Sequence, residues 1–356
     1  MSRPLRVSFV ADTETWGGAE VWLQHHVRRA PDHGVEASVV CAEPVASRFR
    51  ALVPPGRLSV VPLARHAAGA PATAASLAGQ APDLVHVNLV DPASNAATLA
   101  AALATAPTTA TLHLPGDTGD ADTRARLAAL YGDLAALITP SEAGARQVRA
   151  RLAEPRGGVL VSCNGVDVPP QPHGPAGSPI PRVGMHARLT RQKGLDVLLG
   201  ATRRVVEAGV LLEVVIAGSG REEADLRGAA TGLPVRFVGF VDDPRRFLAG
   251  LDVFCLPSRD EALPLSLLEA MAEGLPCVAS DVGDIRRRVG HAMELVPPED
   301  PDALADVLLH LLANPTRRIA LAARARACAE RDLDATDMVA RTYRVLRAAV
   351  RSTASR

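Results

Sequence analysis

Lysine is nearly missing from this chain. Of its 39 basic residues, 38 are arginine and only Lys193 is lysine. Against so strong an arginine bias a lysine at an arbitrary surface position is improbable, so the place of this one carries information. Aromatic residues are also scarce, at 3%, and no apolar run reaches the roughly 18 residues of a membrane-spanning helix. The apolar segment Leu5 to Ala11 is ended by Asp12, too early for the core of a secretory signal. Excess charge of either sign is missing as well. With 39 basic and 39 acidic residues the net charge is zero, and the two halves do not diverge, with 14 basic and 15 acidic residues up to Pro170. Nucleic acid is therefore not expected as a partner. Five cysteines (Cys41, Cys163, Cys255, Cys277, Cys328) are odd in number and form no C-x-x-C, which reads as buried thiols in a reducing compartment. The expected location is the cytoplasm. Peripheral contact with a membrane stays open, with the arginine-bearing segment 124–156 as the candidate, although solvated helix faces are the simpler reading.

What is present fits a soluble enzyme. A length of 356 residues accommodates two domains, and 47% hydrophobic with 22% charged residues is a globular composition. Short β-branched runs recur every 20 to 30 residues with helical patterns between them: Arg6 to Ala11, Ala37 to Ala42, Leu58 to Leu63, Leu84 to Val87, Thr109 to Leu112, Ala135 to Thr139 and Val159 to Ser162. That rhythm predicts a doubly wound parallel sheet of Rossmann type. The stretch 169–181 then holds six prolines and two glycines, which can continue neither helix nor strand. It is expected to be a hinge. The rhythm restarts with Arg182 to His186, a helix from Leu195 to Glu207, and strands at Leu211 to Ala217, Val235 to Gly239, Leu251 to Leu256 and Pro276 to Ser280. The expected domains are 1–168 and 182–335, and in an open α/β sheet ligands bind at the carboxyl edge of the strands.

The most informative stretch is Cys255 to Gly283, which reads as strand, loop, helix, strand. Pro264 suits the first helical position, where its missing N–H costs nothing, and the helix start offers free amides and the positive end of a dipole to an anion. Glu261 then lies in the loop and Glu269 inside the helix. At about 100° per residue the two carboxylates would sit roughly 80° apart on one helix. By residue chemistry alone, two solvated acids of an ordinary βαβ unit explain them about equally well. Upstream, Arg188 and Lys193 lie five apart in one strand-end loop, where a planar guanidinium and a point-charge ammonium can both reach a diphosphate. Gly17 and Gly18 follow the first strand, where they would allow positive φ and close approach of backbone to a ligand.

Together, Glu-x7-Glu followed by Ala-Met-Ala-x-Gly-x-Pro-x-Val-Ala-Ser, the string Ala187-Arg-Leu-Thr-Arg-Gln-Lys-Gly194 and the first loop Trp16-Gly-Gly-Ala-Glu20 resemble the retaining GT-B glycosyltransferases of family 4. The resemblance is strong over 182–283 and supportive over 1–167. It implies a GT-B fold, two Rossmann-like domains facing across a cleft, with acceptor on the first, nucleotide-diphosphate sugar on the second, and the last helix, about 336–356, crossing back to the first domain. It implies sugar transfer from that donor to a hydroxyl acceptor, whether glycan, lipid or secondary metabolite, with no cofactor beyond the co-substrate and no metal. Arg188 and Lys193 would neutralise the leaving diphosphate, Glu269 would hold the ribose and Glu261 the transferred sugar. His113 would reach that sugar from the first domain. Gly218 and Gly220 would line the floor, Gly239 and Phe240 the base site, and Leu263, Pro264 and Leu265 the helix mouth. The acid pairs Asp120/Asp122, Asp300/Asp302 and Asp332/Asp334 have a metal-ligand spacing but follow no clear strand end, and are expected to be surface acids. One residue departs from the pattern. Ala262 stands where the family usually has glycine, and a positive φ there would strain alanine by about 1 kcal/mol.

Other readings are weaker. An inverting transferase would need a general base, with Asp12 or His113 as candidates. A dinucleotide-dependent oxidoreductase fails at Gly218-Ser-Gly-Arg-Glu-Glu223, which lacks the third glycine of G-x-G-x-x-G. A pyridoxal-phosphate phosphorylase would need Lys193 as an imine rather than a phosphate ligand, and a sugar-binding relative without turnover has only Ala262 in its favour.

Overall fold

The computed structural model describes residues 3–354 except 65–68, 94, 115 and 117. Pro115 in the loop after Leu112 and the outermost residues of the expected domain limits lie outside them. Thirteen strands form among the described residues. In the first sheet these are β1 (Leu5–Ala11), β2 (Val35–Ala42), β3 (Leu58–Val61), β4 (Leu84–Leu89), β5 (Thr108–Leu112), β6 (Ala136–Thr139) and β7 (Val159–Val161), in the order β3-β2-β1-β4-β5-β6-β7. All neighbours pair in parallel. Every residue of β4 and β5 is buried, the state of strands covered on both faces, and their polar side chains are paired inside, as where His86 meets the hydroxyls of Thr109 and Thr111. The second sheet holds β8 (Arg182–His186), β9 (Glu213–Ala217), β10 (Val235–Gly239), β11 (Val253–Leu256), β12 (Cys277–Ser280) and β13 (Glu294–Val296), in the order β10-β9-β8-β11-β12-β13 and again parallel.

Each sheet belongs to its own compact unit. The first comprises Met1–Asn164 with Thr336–Arg356, the second Gly165–Ala335. The C-terminal helix Ala335–Ala354 packs in the first unit, where Tyr343 donates to the carbonyl of His26 at 2.8 Å and meets Phe9 edge-on. Where the chain leaves the first unit and later returns, the two passes lie side by side. Val166 donates to Leu333 and accepts from Ala335.

The proline-rich stretch 169–181 lies near the start of the second unit. It follows the crossing point and is fastened along the second unit. Gly174 donates to the Glu273 carbonyl and Ala176 to that of Leu251. The Asp252 carboxylate accepts from the amides of Gly177, Ser178 and Arg182 at 2.7, 3.2 and 2.9 Å. Prolines donate nothing, so its few amides and its carbonyls take partners from the body instead. Two strand limits also moved: Leu211 is 72% exposed and β9 begins at Glu213, and β3 ends at Val61.

Candidate active site

In the second unit the strand order reverses between β8 and β11, so the loops after these two strands diverge and leave a crevice at their carboxyl ends. Those loops carry Arg188, Lys193 and Glu261. Their spacing depends on two glycines. Gly194, at φ +64, has no Cβ to run into the carbonyl oxygen of Pro257, and Gly218, at φ +131, lies equally close against the carbonyl of Ala187. Any side chain at either position would push the loops apart.

Lys193 Nζ stands 2.5 Å from Glu261 Oε1, with the two side chains only 13% and 5% exposed. Ser258 Oγ donates to the same carboxylate oxygen at 2.9 Å. Arg188 is half-buried, and among the described residues nothing pairs with its guanidinium. Close by, Arg259 grips Asp196 through both guanidinium arms at 2.8 and 2.7 Å, and this bond first of all holds the Asp196 carboxyl below its ordinary range.

The helix Leu265–Ala272 starts one residue later than its proline suggested. Pro264 is the N-cap, extended at φ −74 and ψ 127, and no side chain caps the helix. Its first amides therefore have no side-chain acceptor. Glu269 lies one turn in and is half-buried. Burial, and after it the nearby Asp167 carboxylate, pushes its carboxyl up to about 7, and no described residue forms a hydrogen bond to that carboxyl. Ala262 is not strained. Among the described residues the non-glycines at positive φ are Ala81 and Glu299, so the backbone after Glu261 does not require glycine here.

Gly239 donates no strain either, standing at φ +75, and its carbonyl accepts from Gly218 at 2.7 Å. Phe240 is 45% exposed. Alongside runs a groove of about 470 Å³ lined by Val215, Val238, Val241, Asp242, Phe247 and Leu251 among others. Arg188, Lys193, Glu261 and Glu269 do not line it; the groove is a neighbouring strip of the same sheet. His186 closes β8 beside Phe247, ring centroids 6.1 Å apart, and burial, then the Lys193 charge, lowers it to about 4.

In the first unit, His113 follows β5 and its Nε2 lies 2.7 Å from Asn88 Oδ1. Burial lowers this histidine to about 3, so it is neutral, donates from Nε2 and keeps Nδ1 as an acceptor. Trp22 meets it edge-on at 5.4 Å. Gly17 caps the helix Gly18–Arg29 in extended geometry, φ −154, and its amide donates to Glu20 Oε2 at 2.9 Å. Neither Gly17 nor Gly18 has the positive φ expected of them, because an extended N-cap whose amide is held by the Glu20 carboxylate, rather than a left-handed turn, starts this helix. Asp12 is committed to structure, accepting from the Ala64 amide at 3.0 Å and from Thr98 Oγ1 at 2.5 Å.

The acid pairs have structural jobs. Asp120 caps its helix through the amide of Thr123 and Asp300 through those of Asp302 and Ala303, while Asp332 pairs with Arg331. Among the described residues no cluster of three or more metal-ligating side chains forms, and no helix is long and apolar enough to cross a membrane. The sequence reading missed Ser258, Arg259, Asp196 and Asp167. No spacing code links position 196 to 259, so only the fold brings them together.

Residues 16–169 match the model of Glycosyltransferase Family 4, and residues 180–314 that of the glycosyl transferases group 1. The phosphatidyl-myo-inositol mannosyltransferase of Mycobacterium leprae is 40% identical over 167 residues, 44% of either chain. A GDP-mannose-dependent monoacylated alpha-(1-6)-phosphatidylinositol monomannoside mannosyltransferase of Corynebacterium glutamicum is 36% identical over 162 residues, 42% of either chain. The alignments thus span less than half the length of these curated relatives. Among solved structures, Anabaena HepE in complex with UDP and glucose superposes with a TM-score of 0.80 at 19% identity, covering 96% of this chain and 99% of that one. That likeness is one of fold, and the two parallel sheets are those of a GT-B protein.

Proposed function

We propose that this chain, which belongs to the glycosyl transferases of group 1, glycosyltransferase family 4, moves a sugar from a nucleotide-diphosphate donor to a hydroxyl acceptor with retention of configuration and without a metal. The observation that carries this reading is the set of charges at the β8/β11 crevice: the unpartnered Arg188, the Lys193–Glu261 pair and the uncapped helix start at Leu265. Two cations and a helix N-terminus suit a diphosphate. Each well-placed donor supplies about 3 to 4 kcal/mol as charge grows on the leaving oxygen, which is the work a metal would otherwise do.

In this scheme the ribose hydroxyls donate to Glu269, the base lies by Gly239, Phe240 and the groove lined by Val241, and the first helix amides with Leu263, Pro264 and Leu265 face the phosphates. Lys193 turns its ammonium from Glu261 towards the phosphate, which frees the carboxylate for sugar hydroxyls. As the bond from anomeric carbon to phosphate oxygen breaks, the acceptor oxygen bonds to that carbon on the same face. The acceptor proton passes to the departing phosphate oxygen, so no carboxylate base is needed. His113, neutral and with Nδ1 left as an acceptor, is the first-unit residue that the family resemblance assigns to the transferred sugar. The commitment of Asp12 to Ala64 and Thr98 speaks against its use as the base of an inverting enzyme.

The Corynebacterium relative is named for GDP-mannose and HepE holds UDP; both supply a purine or pyrimidine diphosphate, so the base is decided by titration with GDP and UDP. The inositol-lipid acceptors named in the relatives make a hydroxyl of a lipid headgroup the first acceptor class to try, at the cytoplasmic face of a membrane. Product stereochemistry from a radiolabelled donor, with and without a chelator, tests the reading. An inverted anomer overturns retention, and loss of turnover on chelation overturns metal independence.

A further inference from the structure

Arg259 spends most of its guanidinium on the protein next to a proposed phosphate site. Its Nη1 donates to Asp196 Oδ1 and to the carbonyl of Arg191, both at 2.8 Å. Its Nη2 donates to Asp196 Oδ2 at 2.7 Å and its Nε to Glu299 Oε1 at 2.8 Å. A guanidinium has five N–H groups, and four are spent here on protein acceptors while two carboxylates neutralise the charge. One N–H is left for a ligand, and the side chain is only 18% exposed.

These bonds join three separate parts of the second unit. Asp196 stands in the first turn of the helix Leu195–Glu207, two residues after Gly194. Arg191 opens the short turn Arg191–Lys193 that carries the ammonium. Glu299 precedes the helix Pro301–Ala313 and keeps φ +60, one of two positive values among described non-glycines. Such a conformation persists in a non-glycine only where its surroundings over-determine it. The backbone repeats the tie, for the Arg259 amide donates to the carbonyl of Gln192 at 2.7 Å, and Gln192 Nε2 donates to that of Asp260 at 2.7 Å. Arg259 thus clamps the turn before Lys193 onto the loop that leads, two residues later, to Glu261.

We infer that Arg259, held by Asp196 and Glu299, is a positioning residue that sets the separation between the Lys193 turn and the Glu261 loop and so preforms the diphosphate site without touching the ligand. The inference rests on the donor assignment above. Lysine cannot replace it, because a single ammonium lacks the fork that spans both Asp196 oxygens while also reaching Glu299.

The test is calorimetric titration of the parent, Arg259→Ala, Arg259→Lys and Asp196→Asn with GDP and GMP, and with UDP and UMP, alongside thermal melting. The diphosphate-over-monophosphate preference is the readout, because a mispositioned Lys193 and helix mouth lose the second phosphate while the base and ribose contacts stay. The expected result is that Arg259→Ala lowers this preference about tenfold with monophosphate affinity unchanged, which corresponds to about 1.4 kcal/mol. Arg259→Lys recovers little of it. Asp196→Asn, which keeps shape and removes only the charge, shows the same loss several-fold smaller and decides the matter if Arg259→Ala does not fold. An unchanged preference in folded variants, or an equal loss for mono- and diphosphate, overturns the inference and leaves the donor assignment standing. A parent without any diphosphate preference overturns both.

Discussion

The ammonium of Lys193 lies 2.5 Å from Glu261 Oε1, nearly out of solvent. The cation proposed for the phosphate and the carboxylate proposed for the sugar therefore neutralise one another, and either one removed alone leaves its partner buried and unpaired. Breaking a buried pair from one side costs about 3 to 5 kcal/mol, whereas replacing both with neutral groups is often tolerated. Lys193→Met and Glu261→Gln should each lower the melting temperature, and the double variant should recover most of the loss. Turnover should be abolished in all three, measured as nucleotide release. A double variant no more stable than the singles would mean that the pair is not the source of the loss.

Glu269 is pushed up to about 7 by burial and by Asp167. The folded protein thus holds its proton up to about neutral pH, whereas the unfolded chain loses it near 4.3. Across that window the raised group favours the folded state at the acid end, and this contribution fades as pH rises through 7. Ribose binding runs the other way, because the ionised carboxylate is the better acceptor. Diphosphate affinity should tighten from pH 6 to pH 8, and Glu269→Gln should flatten the profile. A parent profile as flat as that of the variant would remove Glu269 from the ribose.

Three histidines of the first unit are neutral by burial. His86 and His113 are lowered to about 3 and His26 well below its ordinary value, with Trp22 stacked on His26 at 3.7 Å. The unfolded chain protonates them below about 6.5, so stability is full above that value and is lost as pH falls towards 3. At pH 5 His86 and His113 should each cost about 2 kcal/mol by linkage, and His26 acts in the same direction. Urea denaturation at pH 5 and pH 7 measures the difference, and His86→Gln should reduce it by about 2 kcal/mol.

Ala262 is buried and free of positive φ. Restoring the glycine usual in the family should therefore bring no relief. Ala262→Gly should destabilise by about 0.4 to 1 kcal/mol through chain entropy and leave diphosphate affinity unchanged. Tighter binding in the variant would show that the loop is constrained by alanine.

Much of the site was legible because it depends on local order in the chain. Strand rhythm puts Arg188, Lys193 and Glu261 in the loops after β8 and β11 and Glu269 in the helix that follows, while the roles proposed for them came from the family resemblance. The capping of Gly17 was misread because an N-cap glycine and a left-handed glycine look alike in a sequence. The acid pairs were set apart because none follows a clear strand end; that Asp120 and Asp300 cap helices is what the structure adds. Asp196 and Arg259 stayed invisible, being 63 residues apart and joined by no shared element.

By itself the sequence determined two doubly wound parallel sheets, the chemistry of each strand-end loop and the singular position of its lysine, because alternation, proline and glycine act within a few residues. Only the tertiary structure decided which charges meet: that Lys193 faces Glu261, that Asp167 raises Glu269, that Arg259 is spent on Asp196 and Glu299, and that the proline-rich stretch is bound rather than loose. Such pairings are set by strand order and by the close approach that Gly194 and Gly218 permit, and both are properties of the packed chain.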